Sequence, residues 1–418
     1  MIRLNVIVLT CLLLILSAVN AEERIISKTE LTDRVLGFWN GQLLGNYIGF
    51  PFENLYSEDA IPVLVERIYT ADYEGEVHLK INNNDRRGHI PILARSLGGA
   101  FSDDDTDIEF VTLHAVEKYG LGITYPEITE AWKTHINDFI WVANREARSL
   151  MDQGFVAPDT GRKENNKHWF QIDPQLVNEI WSAFYPGMIE QATERALWGA
   201  RITNDDWGTH PTMAYAAMIS AAFFEDDIEE LVKLAVDAVP NTGPFAEGIR
   251  DVIRWHEQHD DWRVTRQLIH DKYWAYKSNE LEAPVSIVSS LNNGLTGIMA
   301  LLYGEGEYTK TVGIATSAGY DSDNQAATLG GLIGVMRGMT GLSADVVTRM
   351  KTLDASWEWE EPFNDTYVNI SRDEIALRTP ITEIAARIVA IAEQAIRDNG
   401  GRMIHNDGEV YYVINSDI

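Results

Sequence analysis

Residues 37–53, GFWNGQLLGNYIGFPFE, place glycine at 37, 41, 45 and 49. At 3.6 residues per turn, a four-residue repeat keeps to one face of a helix. Each glycine costs about 1 kcal/mol in helix propensity relative to alanine. Four on one face therefore predict a helix with a bare stripe, against which a second backbone packs closely. Such stripes are familiar between membrane-spanning helices, but Gln42 and Asn46 argue against a span here. Residues 324–341, NQAATLGGLIGVMRGMTG, carry a second set at Gly330, Gly331, Gly334 and Gly338. The two smooth helices are expected to form the central pair of a bundle.

Helical periodicity extends outward from this pair. TEIAARIVAIAEQAIRDNGG places Ile384, Ile388, Ile391 and Ala395 at intervals of three and four and stops at Asn399-Gly400-Gly401. HPTMAYAAMISAAFFE and IEELVKLAVDAV have the same pattern. Strand signals are few, GEVYYVIN near the C-terminus being the clearest. No Pro/Ser-rich linker or low-complexity tract interrupts the chain, and the polar stretch 72–87 has the character of a loop or insertion. The expectation is an all-α fold with a small C-terminal β element: one helical domain over residues 22–418.

The chain has 418 residues, with 34 Lys and Arg against 63 Asp and Glu, a formal net charge of -29. That charge repels phosphate backbones and anionic lipid, so a nucleic-acid polymer or a membrane surface is not an expected partner. Nothing in the sequence fixes the oligomeric state. The N-terminus, MIRLNVIVLTCLLLILSAVNAEER, has Arg3, a short apolar run, and Val19 and Ala21 where a signal peptidase reads small residues. Residues 1–21 are therefore expected to be a secretory signal, cleaved after Ala21, which places the protein outside the cell or in a periplasm. A membrane anchor and a lipoprotein signal at Cys11 are the alternatives. Cys11 is the only cysteine. The mature chain would then lack disulfides, thiolate metal sites and a cysteine nucleophile.

Two acidic clusters stand at helix starts. In AFSDDDTDIEFVTLHAVEKYG, Asp103, Asp104 and Asp105 precede a helix whose stripe is Ile108, Val111, Ala115 and Tyr119, with Gly120 as its cap. In SAGYDSDNQAATLGG, Asp321, Asp323 and Asn324 open another. Capping explains an acidic residue at a helix start, at about 0.3–1 kcal/mol, but three adjacent carboxylates exceed that need. Oxygen ligands without His or Cys suit hard cations: magnesium, manganese or calcium. Glu53, at the end of the first glycine segment, is a further carboxylate able to reach them. RWHEQHDDW, with His256, Glu257 and His259, has the wrong spacing for a zinc helix.

Three blocks in this order resemble the ADP-ribosylglycohydrolase family, the all-helical fold that includes dinitrogenase reductase-activating glycohydrolase. They are GFWNGQLLGNYIGFPFE, FSDDDTDIEF and ALLYGEGEYTKTVGIATSAGYDSDNQAATLGGLIG, and the likeness spans residues 31–341. It implies a compact multi-helix orthogonal bundle holding two Mg2+ ions. It further implies Asp103, Asp104, Asp105, Asp321, Asp323 and Asn324 as metal ligands. Glu53 and Asp104 are the implied catalytic carboxylates. Residues 202–218, ITNDDWGTHPTMAYAAM, resemble the family's substrate loop more loosely, and with Asn46 imply Asn204, Asp205, Trp207 and His210 as substrate contacts. The sequence departs from the family pattern at Asp103 and Asn324, where Ser or Thr is usual, and at Asn46, where Asp is common.

The expected function is that of a secreted, metal-dependent hydrolase of an N- or O-glycosidic bond in a small glycoside or ADP-ribosyl substrate. The alternatives are an exported glycosidase acting on a carbohydrate or nucleoside-like compound, and a metal-stabilised structural or binding protein without turnover. The fold alone does not decide between them.

Overall fold

The computed structural model describes residues 22–69, 77–81, 99–102, 104–276, 285–350 and 364–418, the last eight residues of 285–350 by their backbone alone. The expected signal segment, Asp103 and most of the polar stretch 72–87 lie outside the described residues. The described residues are mostly helical. Helix α1 is Lys28–Gly49, and a short 3-10 turn, Phe50–Phe52, follows it. Then come α2 (Thr106–Tyr119), α3 (Tyr125–His135), α4 (Val142–Asp152), α5 (Ile180–Phe184), α6 (Ile189–Ala200) and α7 (His210–Ala221). The second half has α8 (Ile228–Asp237), α9 (Pro244–Gln258), α10 (Trp262–Tyr273), α11 (Ser290–Gly304), α12 (Tyr308–Ser317), α13 (Ser322–Met350) and α14 (Ile381–Asp398). No helix among the described residues is long and apolar enough to cross a membrane.

The glycine stripes of α1 and α13 meet backbone to backbone. A Cβ built on Gly41 would stand 2.7 Å from the Gly330 carbonyl carbon, and one on Gly37 2.9 Å from that of Gly334. At Gly45 the opposing group is Ala326, with its carbonyl carbon 2.5 Å from the added Cβ. No side chain fits between these helices, which is why glycine is used despite its helix cost. Gly338 departs from the expectation of a continuous helix: its φ of 64° breaks α13, a conformation open to glycine without a Cβ penalty. The pair lies in one contiguous apolar core, with α12 and α14 packed against it.

The β element is larger than the C-terminal signal implied. Strands β1 (Glu22–Ser27), β4 (Arg402–Asn406) and β5 (Glu409–Ser416) form an antiparallel sheet in the order β1-β5-β4. Ile26 pairs with Tyr412, and Met403 with Tyr412 from the other side. Asp407 and Gly408, both at positive φ, make the two-residue turn. A separate antiparallel ribbon joins β2 (Thr366–Val368) to β3 (Arg378–Pro380).

Behind the glycine pair the core holds a polar group. Glu109 and Glu179 are both essentially unexposed. Glu109 accepts from the Ile180 N–H at 2.6 Å, and Glu179 accepts weakly from Gln42 at 3.5 Å. Desolvation pushes Glu109 well above the carboxylate range, with the neighbouring Glu179 charge adding to it. Desolvation also pushes Glu179 up to about 8. Folding thus holds protons that the unfolded chain releases. The stability this gives is fully present below the ordinary value of 4.5 and is lost as pH rises to about 8. Glu179→Gln removes one ionisation at little change in volume. It is expected to match the wild type at pH 5 and to melt higher at pH 8, since each tenfold change in proton affinity is worth about 1.4 kcal/mol. Thermal unfolding at the two pH values checks this; an equal deficit at both would contradict it.

Candidate active site

The acidic residues are assembled by three local devices. After α1, Pro51 helps set a 3-10 turn, and Glu53 caps it, its N–H donating to the Phe50 carbonyl. The next residue is pinned: Asn54 N–H donates to the Tyr320 carbonyl at 2.8 Å, and Tyr320 N–H to the Tyr56 carbonyl at 2.7 Å. Arg266, almost fully buried, spans the same two loops. Its guanidinium donates to the carbonyls of Ser57, Glu58 and Ala318 and lies 4.4 Å from the centre of the Tyr320 ring. Gly319 and Tyr320 both have positive φ, which turns the chain sharply before Asp321. For tyrosine that conformation is strained, by roughly 1–2 kcal/mol. The result is that Glu53, Asp321 and Asp323 each offer a carboxylate oxygen within 4.8 Å of one another.

The second device is the start of α2. Ser102 Oγ, not an aspartate, accepts from the Thr106 N–H at 3.1 Å. This differs from capping by the acidic cluster: Asp105 is the cap residue, yet its carboxylate makes no capping bond. Instead Asp105 Oδ1 accepts from Asn324 Nδ2 at 3.2 Å, which ties the two acidic clusters together. Asn324 is buried and its Oδ1 has no hydrogen-bond partner among the described residues.

The third device is the start of α4. Asp104 Oδ2 accepts from the Trp141 N–H and from Asn144 Nδ2, both at 3.3 Å. Asn144 N–H in turn donates to Asp173 Oδ1 at 3.1 Å. Burial pushes Asp173 up to about 7, against the opposing pull of backbone N–H donors. Asp104, Asp105, Glu53, Asp321, Asp323 and Asn324 line one cavity of about 570 Å3, whose other walls include Trp141, Asn144, Gln171, Asp173 and residues 286–288.

The structure thus brings together every described member of the expected ligand set. The pinned turn sets the Glu53 carboxylate beside those of Asp321 and Asp323. The expected substrate contacts do not line this cavity. Asn46 is buried within α1. Asn204 Nδ2 donates to the Gln171 carbonyl at 2.6 Å, so it lies behind the wall. Asp205 takes the Asp206 and Lys163 N–H groups and, with Asn204, borders a separate cavity. Trp207 is buried against Trp169, Phe170 and Tyr276, as expected of a core tryptophan. His210 is buried and held neutral, its pKa pushed down to about 4 by desolvation. Trp141, Asn144, Gln171 and Asp173 carried no motif. The one available signal was Asp173 itself, a carboxylate set between Ile172 and Pro174.

The donor set fits a hard divalent cation. Three carboxylates held this close repel one another unless a cation lies between them, and Asn324 Oδ1 is a buried acceptor lacking a donor. No curated protein matches the chain. Among solved structures, a chain titled "ADP-ribosylglycohydrolase-related protein complex" superposes with a TM-score of 0.50, covering 88% of this chain and 99% of that chain at 15% identity. At that identity the likeness concerns the fold alone. The sequence model of ADP-ribosylglycohydrolase matches residues 27–380, which takes in both glycine-striped helices, both acidic clusters and the whole cavity wall, and the chain belongs to the ADP-ribosylglycohydrolase family.

Proposed function

We propose that this protein is an exported, metal-dependent hydrolase of an N- or O-glycosidic bond. The observation that carries this is the convergence of Glu53, Asp321 and Asp323 within 4.8 Å of one another on the wall of a cavity large enough for a glycoside. Glu53, Asp104, Asp105, Asp321, Asp323 and Asn324 would hold magnesium, in the two-ion arrangement the family implies, with Asp103 as a further candidate. Bound there, magnesium supplies Lewis acidity and an anchor for the hydroxyls of the sugar.

The chain's own groups do the rest. Asp104 is fixed through one oxygen by Trp141 and Asn144, which aims its carboxylate to take a proton from the attacking water. The carboxylates around the anomeric carbon stabilise an oxocarbenium-like state. Asn144 is a positioning residue, since it joins Asp104 to Asp173. Asn204 supports the Gln171 wall from behind. Export is supported by the N-terminal segment, and cleavage after Ala21 would leave β1, which starts at Glu22, intact.

Glu53 and Asp104 separate kinetically. A positioned acid/base group contributes about 10²–10⁴-fold in rate. Asp104→Asn is expected to lose that factor at any magnesium concentration. Glu53→Gln should lose activity mainly through weaker ion binding, so that raised magnesium restores much of it. The test is turnover against magnesium concentration, after screening ADP-ribosyl-arginine, ADP-ribosyl-serine, nucleosides and aryl glycosides. Cleavage of none of these would count against the hydrolase reading, and equal rescue of both variants against the division of roles.

A further inference from the structure

We infer that Arg372 is a positioning residue for Asp104: it fixes both the helix start beside Asp104 and the loop that hydrogen-bonds to it. This rests on the hydrolase reading above, in which Asp104 takes the proton of the attacking water.

Arg372 lies far along the chain from Asp104, between β2 and β3. Its side chain is fully buried, as is that of Asp107. Its Nε stands 2.9 Å from Asp107 Oδ2, close enough for an ion pair though not aligned as a hydrogen bond. Ser371 Oγ donates to the same carboxylate oxygen. Asp107 is in the first turn of α2, the helix that Asp104 and Asp105 precede. The other guanidinium nitrogens reach the opposite way. They donate to the Asp138 carbonyl at 2.9 Å and to the Phe139 carbonyl at 2.8 Å. Those peptides lead directly to Trp141, whose N–H donates to Asp104 Oδ2 at 3.3 Å. One guanidinium thus braces both segments that make the Trp141–Asp104 bond.

The loop needs such a brace. Phe139 and Val142, on either side of Trp141, have φ of 53° and 29°. Residues other than glycine seldom hold positive φ, a β-branched one least of all. Such backbone persists only where its surroundings fix it. The neighbours of Arg372 hold the same loop: Asp373 N–H donates to the His135 carbonyl at 2.9 Å, and Asn137 Nδ2 to Asp373 Oδ2 at 2.7 Å. Stability alone does not account for a charge at this place. Burying a guanidinium and a carboxylate is costly, and well-packed apolar side chains of similar volume often stabilise as much or more. What arginine adds is a planar fork that engages two successive carbonyls and a carboxylate at once, in fixed directions.

The test is Arg372→Lys in the full mature chain. Lysine keeps the positive charge beside Asp107 but lacks the fork. A small displacement of a reacting group is enough to lower kcat, so kcat should fall about 10–100-fold with KM little changed. Raised magnesium should not restore it, the same signature as Asp104→Asn. Added to Asp104→Asn, the substitution should cost less than about twofold more, because both act on one contact. Hydrogen exchange gives a readout that needs no substrate: the Trp141 amide should exchange at least about tenfold faster in Arg372→Lys, with amides of the α1–α13 pair unchanged. If Arg372→Lys does not fold, the neutral pair Asp107→Asn with Arg372→Gln takes its place, with the same expectations. Full additivity with Asp104→Asn, a loss confined to KM, wild-type exchange at Trp141, or faster exchange throughout the core would each overturn the inference. If the wild type cleaves no glycoside while the Trp141 amide alone is loosened, the hydrolase reading fails and the placing of Asp104 by Arg372 stands.

Discussion

Gly41→Ala is expected to destabilise the protein severely, although helix propensity alone predicts the opposite. Replacing a helical glycine by alanine gains about 1 kcal/mol in an exposed helix. At Gly41 the new methyl would stand 2.7 Å from the Gly330 carbonyl carbon. Overpacking against mobile side chains costs roughly 1–3 kcal/mol. Here the neighbour is backbone, which cannot rotate away, so α1 and α13 would have to separate along their length. The cost should therefore meet or exceed the upper end of that range. Gly122→Ala is the control: nothing lies within 4 Å of its added Cβ, so its melting temperature should barely move. Thermal unfolding of the two variants decides the matter, and a Gly41→Ala protein as stable as the wild type would show that the glycine pair is not what holds the bundle.

That prediction marks what the sequence could and could not convey. The four-residue glycine repeat is a local signal, and the two repeats together were enough to foresee a central pair of bare helices. The acidic clusters were equally legible, because each sits where hydrophobic periodicity begins. Gly338 was not legible as a break, since only the packed structure shows the residue at positive φ. Trp141, Asn144 and Asp173 were invisible for a different reason. They lie at a helix start and in irregular chain, where no period exists, and they reach the cavity only because Asn144 links Asp104 to Asp173 across distant segments. Trp207 and His210 do not line the cavity: a loop rich in Asn, Asp and Trp resembles a binding loop in sequence, but the Trp207 ring packs on Trp169, Phe170 and Tyr276. Glu53 stood out in the sequence, yet its place beside the Asp321 and Asp323 carboxylates depends on the Asn54–Tyr320 backbone bond, which no spacing reveals.

Asp323→Ala is expected to have the largest effect on function. Asp323 is buried at the start of α13, and its carboxylate shares the 4.8 Å group with Glu53 and Asp321. Removing it leaves the remaining ligands with an incomplete shell, and turnover should fall by about 10²–10⁴-fold, as for loss of a positioned catalytic group. Its effect on stability should differ from that of an ordinary core substitution. Without a cation the three carboxylates repel one another, so the variant should melt no lower than the wild type in metal-free buffer. A ligand that binds only the folded state raises stability in proportion to its occupancy. The wild type should therefore gain stability on adding magnesium, and the variant should gain little.

On the function proposed above, the two acidic clusters and Glu53 form one divalent-cation site. Calorimetric titration of magnesium into the metal-free wild type and into Asp323→Ala tests it most directly. The wild type is expected to bind two ions and the variant to bind them clearly more weakly. Absence of binding to the wild type at millimolar magnesium, or the same stoichiometry and affinity in both proteins, would contradict it.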